Sequence, residues 1–194
     1  MGLQVTSMSG QKQNIQAVTV LDPRARRTRQ LLAEAFRDLM GVQEFGSITV
    51  QDIARKATVN RATFYAHFDD KFALLDWIIR DQFRSRVLIG LEHFEPSPDA
   101  VHRLISVTGT FLAGFGGQCP EKNREFHPVV EAIIQDEIHA YVLQGLPTKR
   151  QETAATILSW SIFGAAREWS RGMHTKPIEK TAERAVDLLT NGVL

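Results

Sequence analysis

The sequence has few of the residues and runs that define several classes of protein. It contains a single cysteine, Cys119, in 194 residues, so neither a disulfide framework nor a cysteine-based zinc site can be assembled from it. No stretch approaches the ~18 consecutive apolar residues that a membrane helix requires. Residues 1–22 lack the apolar run of a signal peptide. We therefore expect a cytoplasmic protein with no membrane partner.

Motifs typical of enzymes are also absent from the sequence. There is no glycine-rich phosphate loop, no His-Glu-x-x-His pair and no nucleophile elbow. Glu137 and His139 are two positions apart and would point to different faces of a helix, which makes a poor metal site. We expect no catalytic residue, metal or cofactor, and a helical enzyme is the less favoured alternative.

The residues that are present indicate a helical globular protein. Apolar residues make up 43% of the chain and charged residues 23%, which is ordinary for a folded domain. Apolar positions recur at helical spacing, and no stretch alternates as a strand would, so we predict an all-α fold of about nine helices. Residues 121–145 form one irregular helix or two in this prediction. The pattern separates a flexible arm (1–22), a helix-turn-helix unit (23–70) and a larger helical region (71–194).

The segment from Thr49 to Lys71 has the pattern of two short helices joined by a tight turn. Thr49 and Asn60 are suited to cap the two N-termini. The side chains expected to face inward are apolar, and they are Ile53, Ala54, Ala57, Val59, Phe64 and Phe68. A buried inner face and a polar outer face on the second helix are typical of a helix-turn-helix that reads DNA.

Basic side chains are concentrated near this motif. Residues 1–72 carry ten basic and seven acidic side chains, whereas the rest of the chain carries 13 basic and 15 acidic ones. Arg24 and Arg27 belong to an arginine cluster before the first helical pattern, where they could contact phosphates or simply form a solvated helix start. Arg61 begins the second helix of the motif, where a cation is mildly unfavourable, so a role outside the fold such as guanine recognition is favoured.

The run TVQDIARKATVNRATFYAHFDDKFALL, residues 49–75, resembles the DNA-binding signature of the TetR/AcrR family of transcriptional regulators. The matching positions are Thr49, Val50, Ile53, Ala54, Ala57, Val59, Thr63, Tyr65, Phe68, Lys71 and Leu74. The resemblance is detailed over residues 24–75 and extends to the rest only in length and helix order. It implies a repressor-like homodimer that binds a near-palindromic double-stranded operator. A small-molecule effector would bind to a C-terminal domain that also forms the dimer, and its binding would release the protein from DNA. An architectural DNA-binding protein without an effector is the alternative.

The resemblance also implies roles for individual residues. Backbone phosphates would be contacted by Thr49, Thr63, Tyr65 and Lys71, and bases would be read by Arg61 and Ala62, with His67 as a further contact. Tyr65, His67 and Lys71 could also be ordinary surface residues. Thr58 stands where the family usually has glycine, and a β-branched residue is poorly suited to a positive φ. Either the turn has another conformation or Thr58 is strained.

The end of the chain is expected to form the dimer interface. Two helical segments interleave large and small apolar residues, and their predicted interface residues are Ala154, Leu158, Ser161, Ala165, Trp169, Ile178, Ala182, Ala185 and Leu189. Gly164 would destabilise a helix interior by ~1 kcal/mol relative to alanine, so close approach of another helix would explain it. The alternative is that both segments only complete the core of one subunit.

Aromatic side chains supply a predicted effector pocket. Its candidate residues are Trp77, Phe111, Phe115, Tyr141, Trp160 and Phe163. Polar partners for a ligand could come from His102, Cys119, His127 and Gln135. Aromatic residues at helical spacing also form ordinary core, which is the alternative for each of them.

Overall fold

The computed structural model describes residues 22–89, 93–118, 127–147, 151–172 and 177–192. The helices in chain order are α1 (Pro23–Val42), α2 (Val50–Lys56), α3 (Arg61–Tyr65), α4 (Lys71–Phe83), α5 (Pro98–Gln118), α6 (His127–Gly145), α7 (Gln151–Arg171) and α8 (Ile178–Asn191). A short 3₁₀ turn, Phe45–Ser47, precedes α2, and a π-helical turn, Arg84–Leu88, follows α4. The described ranges contain no strand, which confirms the all-α prediction.

The described part of the chain contains eight α-helices where the sequence predicted about nine. The prediction left residues 121–145 as one irregular helix or two, because Pro128 could interrupt a helix. Pro128 instead occupies the second position of α6, within the first turn, where proline lacks no needed hydrogen bond. One uninterrupted helix therefore covers His127–Gly145. The arm up to residue 21, residues 121–126 and the side chains of Phe115 and Cys119 lie outside the part that is described.

The first helix begins and packs as its sequence pattern predicts. The Asp22 side chain accepts a hydrogen bond from the Arg24 backbone N–H at 3.0 Å, and Pro23 takes the first helical position. One stripe of α1 is buried against α2 and α4, and it consists of Leu32, Ala33, Ala35, Phe36 and Leu39. Helices α1 to α3 thus share a small core with the start of α4.

The remaining helices form a second layer around α5 and α7. Helix α5 packs against α7 and α8, and α6 packs against α7 and α4. Gly109 on α5 permits the close approach of α8, because a Cβ there would collide with the Ile178 side chain. None of the helices in the described ranges has the length and apolar character needed to cross a bilayer.

Helix α4 is fixed to α6 by a buried carboxylate. The side chain of Glu137 is only 4% exposed, and it accepts hydrogen bonds from Arg80 Nη1 at 2.8 Å and from Arg84 Nε at 2.6 Å. Asp76, one turn before Arg80, accepts from its Nε at 2.9 Å. The hydrogen bond to Asp76 is the largest cause of a raised pKa of Arg80, and the contacts with Glu137 raise it further. Because α4 also contacts α1, it links the two layers.

Candidate nucleic-acid interface

The supporting helix α2 begins with a reciprocal cap. Thr49 Oγ1 accepts from the Asp52 backbone N–H at 3.1 Å, and an Asp52 carboxylate oxygen accepts from the Thr49 backbone N–H at 3.1 Å. The same carboxylate accepts the Thr49 hydroxyl at 2.6 Å, and these hydrogen bonds from Thr49 lower the pKa of Asp52. The cap fixes where α2 starts and leaves Thr49 exposed on the surface.

The turn between α2 and α3 is closed by Thr58 in the left-handed conformation, with φ at 58°. The Val59 N–H reaches back to the Ala54 carbonyl at 2.9 Å, and the Thr58 N–H reaches the Arg55 carbonyl at 3.2 Å. These two bonds form a Schellman motif, which usually has glycine at the position of Thr58. The structure therefore resolves the two alternatives in favour of a normal turn geometry held by a strained threonine.

Helix α3 presents a short polar face while its inner face is buried. Asn60 Oδ1 accepts from the backbone N–H of Thr63 at 2.7 Å and from its hydroxyl at 2.9 Å, so the helix begins at Arg61. Phe64 is fully buried. Arg61 and Tyr65 are exposed one turn apart, with the guanidinium over the phenol ring at 5.8 Å and Nη2 at 3.4 Å from the hydroxyl.

The other predicted contacts of this region lie around α3. Ala62 is exposed beside Arg61, and Arg24 and Arg27 are exposed in the first turns of α1. Thr63 and His67 are partly buried. The structure brings the motif residues to one region, and their contacts to DNA remain predictions.

Lys71 has a different environment from the one expected. Its Nζ donates to the carbonyls of Phe45 at 2.8 Å, Gly46 at 3.1 Å and Ile48 at 2.8 Å, and it lies 4.4 Å from the centre of the Phe45 ring. An ammonium has three donors, so all of them are used within the protein. Burial also lowers the pKa of Lys71. The phosphate contact that the sequence favoured would require one of these hydrogen bonds to be given up.

Arg29 belongs to the arginine cluster that the sequence placed near phosphates, but it is partly buried. Its guanidinium lies over the Phe68 ring at 5.3 Å, at the end of the helix-turn-helix. Together with burial, which is the larger cause, Arg29 lowers the pKa of His67. The spacing of Arg29 from Leu32 and Phe36 places it on the inner side of α1, and this spacing is the signal that could have separated it from the exposed arginines nearby.

The predicted dimer residues divide into two groups. Ala182 is fully buried and Ile178 nearly so, and both pack within one subunit, which leaves little of either side chain for contact with a second subunit. The reason is that α8 turns this part of its apolar stripe toward α5. Leu189 is exposed, whereas the other predicted residues are partly buried, namely Ala154, Leu158, Ser161, Ala165, Trp169 and Ala185.

An apolar surface that the prediction only partly covered remains on α7 and α8. On α7, Ile157 and Trp160 are 57% and 58% exposed, and a Cβ at Gly164 would meet nothing within 4 Å. On α8, Leu188 and Leu189 are exposed. We call these five residues the α7–α8 surface. The three positions on α7 follow helical spacing, so they form one stripe.

In the described part of the protein, the aromatic residues predicted to form the pocket are divided between two cavities and the core. Phe111 lines a cavity of about 470 Å³, and Tyr141 lines another of about 320 Å³. Trp77 packs on Phe68 instead, and the exposed Trp160 packs edge to face on the buried Phe163. The aromatic rings therefore mostly complete separate parts of the core.

Polar residues expected to accompany that pocket are also dispersed. Gln135 is buried and donates to Ser159 at 3.3 Å, and His102 and His127 are partly buried on different helices. His139 lies 3.5 Å from the Thr156 hydroxyl, whereas Glu137 binds Arg80 of α4 and Arg84 of the π-helical turn. Within the described ranges, no three metal-ligating side chains lie together.

The N-terminal unit matches a family of regulatory proteins in sequence. Residues 31–78 match the model of the bacterial regulatory proteins of the tetR family. The chain is 43% identical over 61 residues to the uncharacterised HTH-type transcriptional regulator YxbF of Bacillus subtilis (strain 168), covering 31% of this chain and 16% of that protein. It is 39% identical over 56 residues to the dhaKLM operon transcriptional activator DhaS of Lactococcus lactis subsp. lactis (strain IL1403), covering 29% and 30%.

The whole fold is also similar to a solved regulator. The TetR transcriptional regulator from Streptococcus agalactiae 2603V matches with a TM-score of 0.54 at 18% identity, over 89% of this chain and 99% of that chain. At this identity the likeness concerns the fold. Residues 31–78 therefore carry a helix-turn-helix like that of the tetR-family regulatory proteins, and the matched stretch spans less than a third of the length of either curated relative.

Proposed function

We propose that this protein regulates transcription as a homodimer, reading a near-palindromic DNA site through α3 and changing its affinity when a small molecule binds. The observation that carries the proposal is the structure of α3. Its inner residue Phe64 is fully buried, and Arg61 and Tyr65 project together from its outer face beside the arginine-rich start of α1. One face of such a helix packs into the protein core, and the other face is available to contact a partner.

The exposed residues have the chemistry of a DNA contact. The Arg61 guanidinium can donate two parallel hydrogen bonds to guanine O6 and N7 in the major groove, and Ala62 can pack against a thymine methyl group. Thr49, Thr63 and Tyr65 offer hydroxyl groups, and Arg24 and Arg27 offer charge, to the phosphates on either side. We assign residues 23–70 to the DNA-binding domain on this basis.

The α7–α8 surface supports the homodimer. Large apolar side chains such as Ile157 and Trp160 are exposed there, and Gly164 leaves room for a helix of a second subunit. In a two-fold dimer the same surface of both subunits meets itself, which buries both copies of the stripe. We therefore assign residues 71–194 to effector binding and dimerisation.

The direction of regulation is proposed as repression, in which the bound dimer blocks access to a promoter. DhaS is named as an activator, so activation is the alternative to repression. The following experiment distinguishes the two. Expression from a promoter carrying the selected site should rise when the gene for this protein is removed. A fall in expression would show activation and leave DNA binding itself in place.

The proposal is tested by selecting bound duplexes from a randomised pool with the wild type and with Arg61→Ala. The wild type should enrich a near-palindrome, and Arg61→Ala should lose about 1–3 kcal/mol and relax the preference at the contacted base. Arg103→Ala, an exposed arginine on α5, is the matched control and should select the same site. Failure of the wild type to enrich any sequence would contradict the proposal, and a uniform loss with Arg61→Ala would contradict its base-reading role.

A further inference from the structure

A cavity of about 470 Å³ lies between the end of α4, the middle of α5 and the start of α8. Its volume falls in the range of sites that bind small molecules. We propose that this cavity binds an amphipathic carboxylic acid, with the carboxylate held by Arg86 and Gln82 and the apolar part lying along Phe111 and Ile178. The inference rests on the proposed function, because it names the chemical class of the effector.

The basic group of the cavity differs from the other arginines near the end of α4. Arg80 and Arg84 are bound to Glu137, and their charges are neutralised inside the protein. Arg86 lines the cavity, and among the described side chains no acid forms an ion pair with it. An arginine with its donors free suits the two oxygens of a carboxylate.

Hydroxyl groups extend the polar side of the cavity. The Ser106 Oγ is buried and has no hydrogen-bond partner among the described atoms, although a buried hydroxyl is normally bonded. Thr110, one turn further along α5, donates its hydroxyl proton to the Ser106 carbonyl at 2.9 Å, so its oxygen can still accept. A ligand oxygen near Ser106 would supply the acceptor that this hydroxyl lacks.

The cavity also has apolar lining residues, and one of them is firmly held. Phe111 packs edge to face on the buried Phe83 with ring centres 5.4 Å apart, which fixes its orientation. Val107 and Ile178 continue this wall, and Gly114 leaves space at its end, because a Cβ there would meet nothing within 4 Å. This wall suits a hydrocarbon chain or an aromatic ring attached to the acid.

The charge balance of the site favours one carboxylate over a phosphate group. Glu179, in the first turn of α8, also lines the cavity and offsets the positive charge of Arg86. A dianionic phosphate ester would meet one arginine and one repelling carboxylate, without the cluster of cations that usually binds it. A monocarboxylate needs only Arg86, and Gln82 can donate a further hydrogen bond from its amide.

The position of the cavity relates ligand binding to α4. The π-helical turn Arg84–Leu88 directly continues α4, and it directs Arg84 to Glu137 while Arg86 and Val87 line the cavity. The other end of α4 begins at Lys71, which is bonded to the 3₁₀ turn of the DNA-binding unit. A ligand that binds Arg86 therefore contacts the turn that continues α4, and α4 packs against helices of both layers.

The test uses the full-length protein with hexanoate, decanoate and 3-phenylpropanoate, and with decanol and decylamine as uncharged and cationic analogues. Calorimetric titration should show at least one acid binding with one site per chain, and that acid should raise Tm. Decanol and decylamine should bind at least tenfold more weakly than decanoate. Arg86→Gln should weaken the acid tenfold or more, and Ser106→Ala should weaken it less. Arg103→Gln, at the rim of the 320 Å³ cavity, should leave its affinity unchanged.

Three results would overturn the inference. They are failure of all three acids to bind, equal affinity for decanol and decanoate, and unchanged acid affinity in Arg86→Gln. DNA binding is measured separately on the selected duplex, so the two proposals can fail independently. If the protein selects DNA but binds no acid, the cavity proposal fails alone. If an acid binds through Arg86 but no DNA site is selected, the proposed function fails and the cavity remains a binding site.

Discussion

At the scale of single residues, Thr58 shows how a strained position is retained within a motif. The Schellman turn needs a left-handed residue after α2, and threonine at φ 58° places a branched Cβ near backbone that glycine would leave free. The two backbone hydrogen bonds of the turn hold this conformation in place. The turn sets the angle between α2 and α3, so it positions Arg61 on the outer face.

Replacement of Thr58 by glycine should stabilise the protein. We expect Thr58→Gly to raise the free energy of unfolding by about 1 kcal/mol, because removing the Cβ relieves more strain than the added chain entropy costs. Thr58→Ala keeps a Cβ and is the matched control, with little change expected. Urea denaturation of the three proteins measures the difference. A Thr58→Gly protein no more stable than Thr58→Ala would show that the turn is not strained.

Lys71 is expected to contribute to stability whether or not DNA is present. Lys71→Met removes the three hydrogen bonds from Nζ to the carbonyls of Phe45, Gly46 and Ile48, so unfolding should become easier by about 2 kcal/mol. Lys56 is a suitable control, since it only forms an exposed ion pair with Asp38 at 3.1 Å. If Lys71→Met and Lys56→Met unfold at the same temperature, the hydrogen bonds of Lys71 do not stabilise the protein. A phosphate contact would then be the better explanation for a lysine at this position.

His67 should make stability depend on pH. Burial and the nearby Arg29 lower its pKa in the folded protein below the usual value of 6.5, so the unfolded chain binds a proton more readily. Its contribution to stability is present above that value and is lost as the pH falls below it. The free energy of unfolding should therefore fall more steeply from pH 7.5 to 5.5 in the wild type than in His67→Gln. Parallel pH curves would contradict this expectation.

At the scale of helices, the contact between α4 and α6 depends on one carboxylate. Glu137→Gln should lower the free energy of unfolding by about 2 kcal/mol, because the partly buried Arg80 and the exposed Arg84 lose their shared buried anion. The neighbouring Asp136 is 71% exposed and 3.6 Å from Arg80, so Asp136→Asn should change stability by less than about 0.5 kcal/mol. Chemical denaturation measures both. A similar loss in the two variants would show that burial of Glu137 has no special effect.

The sequence was sufficient to predict most helix boundaries of the DNA-binding unit. Caps at Thr49 and Asn60 are local features that depend on neighbouring residues, and both are present in the structure. Tertiary partners could not be predicted in the same way. Ala182 belongs to an apolar stripe that suits either an interface or the subunit core, and only the packing of α8 on α5 distinguishes them.

The same reasoning explains why the candidate cavity was missed. Arg86 and Ser106 are far apart in sequence and carry no motif, so nothing local relates them. The aromatic residues of the predicted pocket are common in any helical core, and of those whose side chains are described only Phe111 lines the cavity. The hydrogen bonds of Lys71 could not be predicted from the local sequence either, because its carbonyl partners lie more than twenty residues away.

At the scale of the whole molecule, the arrangement of the parts supports the proposed coupling between DNA binding and ligand binding. The basic excess lies in the first 72 residues and the acidic excess in the remainder, which favours the proposed approach of DNA to one end. Helix α4 joins that end to the helices around the cavity, and the α7–α8 surface offers a second subunit an apolar partner. In this account, two copies of α3 are held at a fixed separation, which a ligand can change.

The central claim is tested most directly by the footprint of the protein on its selected duplex. Hydroxyl-radical cleavage with the wild type should reveal two protected segments related by two-fold symmetry, with centres about 34–36 Å apart or a multiple of that distance. Arg61→Ala at equal protein concentration should weaken both segments together. A single protected segment without symmetry, or protection unchanged by Arg61→Ala, would contradict a dimer that reads DNA through α3.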